Sequence, residues 1–255
     1  MTRSVAAAIA IAWLALLGRP AQDEALWQHR NLGKAFYENP TTHQEAVAEF
    51  RKALDLAPGS ARERVNYGLA LLRAGRTREG IAELQRAQRQ DPSIPQTWFV
   101  LGVEFKKAAD YRRATAQFEQ MVRLVPGEPI SHYNLGYLYR LAGRTAQARD
   151  EFEKAAQLDS SFAAPHFQLF NINRDAGASD EAAREQTVFL RLKREQAGAV
   201  VPEDVDWSRY AEIVDPAEPA QIALRTATDQ AAHHVARGAE RLDHRSSDEA
   251  GGAGD

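Results

Sequence analysis

The chain of 255 residues contains no cysteine. That excludes disulfides, thiolate metal sites, c-type haem attachment and a lipidated N-terminal cysteine, and it leaves the redox compartment open. It also lacks a basic excess. The formal net charge is −3, and phosphate recognition needs a basic footprint, so no nucleic-acid partner is expected. Val and Ile are scarce beside Ala, Leu, Arg, Glu and Gln, a choice that favours helix. Catalytic signatures are missing as well: there is no GxSxG elbow, HExxH pair, phosphate-cradling Gly-Lys-Ser/Thr loop or dinucleotide glycine fingerprint. No enzyme, cofactor or metal is therefore expected.

The apolar run that opens the chain, Val5 to Leu17, is too short to span a bilayer. As a helix it reaches about 20 Å, against the ~30 Å of a hydrocarbon core. Preceded by Arg3 and followed by Gly18-Arg19-Pro20, it makes residues 1–21 read as a secretory signal peptide. An uncleaved anchor and a buried first helix are the other readings. The first of the three exports the chain, to a periplasmic or extracellular location. The second ties it to the inner membrane, facing out, and only then would a membrane be a partner.

What the sequence does contain is a period. Residues 95–128 are restated by residues 129–162 at an offset of about 34 residues: Gly102 by Gly136, Phe105 by Tyr139, Ala114 by Ala148, Phe118 by Phe152. The same spacing extends both ways. Small residues recur in the first helix of each unit (Gly33, Gly68, Gly102, Gly136) and in the second (Ala46, Gly80, Ala114, Ala148), where two backbones can cross closely. Phe50, Leu84, Phe118 and Phe152 stand ready to fill the space beside them. Pro58, Pro92 and Pro126 close successive units, since proline resists continued helix.

Trp98, Leu101, Gly102, Phe105, Tyr111, Ala114, Phe118 and Pro126 follow the pattern of the tetratricopeptide repeat, and the chain resembles that family over residues 26–194. The resemblance implies an all-α fold, a right-handed α-solenoid of five helix-turn-helix units at 26–59, 61–94, 95–128, 129–162 and 163–194. The fifth is worn: Phe170 replaces the glycine and Gln186 the phenylalanine, as suits a terminal repeat with one unburied face. His29, His132 and His166 take the slot of Trp98. They are expected to be planar rings held between helices, because a metal shared by His132 and His166 would have to bridge neighbouring helix pairs.

If Trp98, Gly102 and Phe105 face the partner helix, then residues 96, 99, 103 and 106 form a second stripe. In the family that stripe lines the concave groove. At the repeat spacing it gives an apolar and aromatic row (Val65, Phe99, Tyr133, Phe167), an amide row (Asn31, Asn66, Asn134, Gln168) and a basic row (Lys106, Arg140, Arg174). Asn66, Phe99, Tyr133, Asn134, Tyr137, Phe167 and Asn171 are the expected contacts for another protein or peptide, with Lys106, Arg140 and Arg174 setting charge preference. Amides would bond an extended backbone and cations would receive a carboxylate. Alternatively, the amides reflect family composition and the cations complement the helix dipole.

Past Gln196 the period stops. Residues 197–216 are expected to be a linker with a short helix, whose Trp207 and Tyr210 share a face and dock it on the C-terminal end of the array. Residues 217–242 form a possible helix, and 243–255 are compositionally a disordered tail. The expected function is a non-enzymatic protein-interaction scaffold. The alternative is a structural spacer or assembly arm of a larger secreted or anchored system, possibly the N-terminal part of a repeat/propeller-type protein.

Overall fold

Helices follow one another in antiparallel pairs, and the second helix of each of the first four pairs also touches the first helix of the next. They are α1 (23–38), α2 (His43–Leu56), α3 (Ala61–Arg73), α4 (Thr77–Gln90), α5 (Pro95–Lys107), α6 (Tyr111–Leu124), α7 (Pro129–Leu141), α8 (Thr145–Leu158), α9 (Ala163–Asp175) and α10 (Ser179–Glu195). This computed structural model describes residues 23–197 and 205–214. The expected signal segment, the possible helix at 217–242 and the tail lie outside the described residues. Among the described residues there is no strand, and no helix is long and apolar enough to cross a membrane.

Local chemistry sets the ends. Pro95 and Pro129 open α5 and α7 at the first helical position, where a missing N–H costs nothing. The side chains of Ser60, Asp110 and Glu128 accept from the backbone N–H three residues on. The turn inside the second to fifth units uses one left-handed residue: Gly75, Gly143 and Gly177 supply it at φ near +74°, and Ala109 occupies the same place in the third unit at φ 55°.

The small residues do what their spacing predicts. A Cβ on Gly102 would lie 2.8 Å from the Phe118 ring; on Gly136, 2.9 Å from Phe152; on Gly33, 2.9 Å from Phe50; on Gly68, 2.9 Å from Leu84. Ala46, Ala114, Ala148, Ala53, Ala87, Met121 and Ala155 are fully buried at the crossings and between units. In the fifth unit Phe170 sits at the glycine position, half-buried, and Gln186 at the phenylalanine position is exposed. Leu101 and Leu135 are buried, whereas Leu32 is exposed, since no described helix flanks α1 on its other side.

The slot of Trp98 carries more than packing. His29, His132 and His166 each bring Nδ1 to within 2.6, 2.6 and 2.7 Å of Glu49, Glu151 and Glu185 on the second helix of the same unit, and Arg64 reaches Glu83 in the same way. The side chain also turns back to the closing proline of the preceding unit: Arg64 Nη2 donates to the Pro58 carbonyl, Trp98 Nε1 to Pro92, and His132 Nε2 lies 2.9 Å from the Pro126 carbonyl oxygen. Both nitrogens of His132 are thus taken up by protein.

Candidate peptide-binding groove

The first helices of the units, α1, α3, α5, α7 and α9, line the concave face, and their second stripe divides by depth. Phe99 is 0% exposed, its ring set edge-on to Phe118 at a 5.9 Å centroid distance. Tyr133 is 7% exposed, against Phe152 and Phe162 at 5.6 and 5.2 Å. The aromatic row is therefore corrected in part. Phe99 and Tyr133 belong to the packing between helices, because bulky rings near the crossing are drawn into the only space that excludes water. Phe167, with no described repeat beyond its own, stays 42% exposed beside Phe170 and Phe189.

Asn66 and Asn134 of the amide row and Lys106 of the basic row face a ligand that is part of the chain itself. Residues 205–214 do not dock on the C-terminal end of the array, as their apolar residues led one to expect. They run along the groove from the fourth unit toward the second and first. Asn134 donates Nδ2 to the Val205 carbonyl at 2.6 Å and to its own helix at Ile130. Its Oδ1 accepts from Lys106, which fixes which way the amide points, and Lys106 also pairs with Asp206. Asn66 takes both main-chain groups of Val214: Nδ2 donates to the carbonyl at 3.0 Å, and Oδ1 accepts from the N–H at 2.7 Å.

Residues outside the expected set complete the contact. Ser208, buried, donates to Glu128 at 2.9 Å, the same carboxylate that caps α7. Tyr37 lies with its hydroxyl 3.5 Å from the Ala211 carbonyl and accepts from Arg73, which also pairs with Glu212 at 3.2 Å. Burial pushes the Tyr37 phenol above its ordinary pKa against the pull of Arg73, so it remains a neutral donor. Only Arg209–Ala211 are helical, one 3-10 turn. Trp207 and Tyr210 consequently share no α-helical face: Trp207 is 49% exposed and bonds Glu212, while Tyr210 is half-buried and lies near enough to Glu128 for that charge to help raise its phenol, after burial itself.

Beyond Asn134 the stripe is not reached by this segment. Arg140 bonds Gln168, which in turn donates to the Tyr133 hydroxyl. Asn171 donates to its own helix at Phe167, and Arg174 lies over the Phe170 ring and pairs with Asp175. Tyr137 lies 5.9 Å from the Lys106 ammonium. Among the described residues no group of His, Asp or Glu is arranged to hold a metal ion.

A family model for the tetratricopeptide repeat matches residues 65–105 and 99–161. Over that stretch the chain carries tetratricopeptide repeats. No curated protein matches it. Solved structures similar in fold include MamA 41-end from Desulfovibrio magneticus RS-1, 19% identical, TM-score 0.60, covering 68% of this chain and 97% of that one. PilF of Pseudomonas aeruginosa is 19% identical with a TM-score of 0.58, over 67% and 78%. Identity at this level speaks to the tetratricopeptide fold alone, and that fold is consistent with a protein-interaction scaffold.

Proposed function

We propose that this tetratricopeptide repeat protein is a non-enzymatic scaffold that holds an extended segment of another protein along its concave groove. The observation that carries the reading is the two-bond pairing of Asn66 with the main chain of Val214, together with Asn134 on Val205. Amides that bond a backbone read extended chain whatever its side chains, and the cations beside them add a preference for acidic ligands. Asn66, Asn134 and Lys106 are the contacts under the segment. Tyr137, Arg140, Phe167, Asn171 and Arg174 extend the same face beyond it. The apolar run at 5–17 supports an exported location for the scaffold.

A photoreactive residue at position 140, on the groove side of α7, tests the reading against one at position 120 on the outer helix α6. Covalent adducts to another protein from 140 are expected. Adducts from 120 alone would replace groove binding by the second reading, an assembly arm or spacer. That second reading is favoured by one observation: the groove between the second and fourth units is already occupied by residues 205–214.

A further inference from the structure

We propose that residues 205–214 are a displaceable occupant of the groove, and that the partner which displaces them is an extended acidic peptide repeating their pattern: one carboxylate for Lys106, a second six residues on for Arg73, and a free main-chain amide for Asn66. This deepens the scaffold reading and rests on it.

Four features of the contact carry the inference. The bonds to Asn134, Asn66 and Tyr37 all go to main-chain groups, which any extended peptide presents equally. The two ion pairs, Asp206 with Lys106 and Glu212 with Arg73, involve carboxylates that keep partial access to solvent and are replaceable by a carboxylate from elsewhere. Val205, Tyr210, Ala211, Ile213 and Val214 pack against the core, but beside them a pocket of about 320 Å³, half open to solvent, is left uncovered over Leu69, Phe99, Val100 and Val103, with Trp207 at the rim. Finally, the glycine crossings and the slots that hold the array together are complete without the segment.

The connection is short: residues 198–204 separate the segment from the array. Attachment within the same chain raises the segment's local concentration, so it screens out weak ligands and yields to well-matched ones. The groove is thereby guarded by a copy of what it recognises.

The test uses the full chain and a labelled synthetic peptide of residues 205–214. In one variant Asp206→Lys and Val214→Pro are combined, which removes the carboxylate offered to Lys106 and the N–H offered to Asn66. The peptide is expected to bind this variant about tenfold or more tighter than the wild type. Adding Asn66→Ala to the variant is expected to abolish that gain, with the helical circular dichroism unchanged. Equal affinity for wild type and variant, no binding to either, or binding indifferent to Asn66→Ala overturns the proposal. So does loss of the folded array in the variant, since the segment would then be a brace. A wild-type dimer in sedimentation that the variant lacks would assign the segment to a second copy and sink the proposal in its tethered form. Adducts from position 140 that persist while the peptide fails would leave the scaffold reading standing and remove only this one.

Discussion

The crossing face and the concave face of α7 are built from alternating neighbours, yet they obey different rules. On the crossing face, Gly136 meets Phe152 at van der Waals contact and Leu135 fills the space beside it, and a change of one methyl is felt. On the concave face, Asn134 serves Ile130, Lys106 and Val205 through directional bonds, and what fits there is set by donors and charge. Shape complementarity holds the solenoid; hydrogen-bond complementarity chooses what lies in it. Substitutions on the two faces should therefore separate stability from occupancy.

The largest expected effect is on the crossing face. Phe152→Ala leaves a cavity against Gly136 and Tyr133 and should cost about 3–5 kcal/mol in urea unfolding. Gly136→Leu comes next. Its Cβ alone would lie 2.9 Å from Phe152 and 3.1 Å from the Ala148 carbonyl, so overpacking should cost about 1–3 kcal/mol, read as a lower thermal midpoint. An unchanged midpoint would break the first half of the comparison.

Glu151→Gln should have a smaller effect that depends on pH. Burial alone would raise the Glu151 carboxyl, but the bonds from His132 and Lys154 outweigh it and hold the group below its ordinary value of 4.5. The contribution is in force above that value and is lost as pH falls through the depressed folded one. Wild type and Glu151→Gln should thus differ by ~1–3 kcal/mol at pH 7 and converge on acidification below 4.5. The smallest stability change belongs to the concave face. Asn66→Ala should cost under about 1 kcal/mol, while hydrogen exchange at the Val214 amide, whose N–H it releases, accelerates markedly. Loss of the array in this variant would erase the distinction between the faces.

The crossing face was legible in sequence because it repeats. Each glycine and each phenylalanine recurs at the solenoid period, so noise at one unit is corrected by the next. The pairing of His29, His132 and His166 with Glu49, Glu151 and Glu185 was legible in principle too, since each carboxylate lies nineteen or twenty residues on. The asparagines and Lys106 of the concave face could be named from the same period. What they bind could not. Residues 205–214 carry no period, and Val214 meets Asn66 across a sequence separation of 148. Such a contact follows from the curvature of the whole array, as does the burial of Phe99 and Tyr133, which depth and not spacing decides. Arg73, Tyr37 and Glu128 are silent in the sequence for the same reason: each is ordinary in its own helix and acquires a role only against the segment.

The pairing of Val205 with Asn134 and of Val214 with Asn66 also has a mechanical side. A solenoid whose units touch only their neighbours deforms like a spring, its arc opening and closing by small rotations at every joint. Ten residues fastened at the fourth unit and again at the second form a chord across that arc. While the chord is in place the curvature of the intervening units is fixed, and when it leaves they regain their compliance; occupancy of the groove is written into the stiffness of the array.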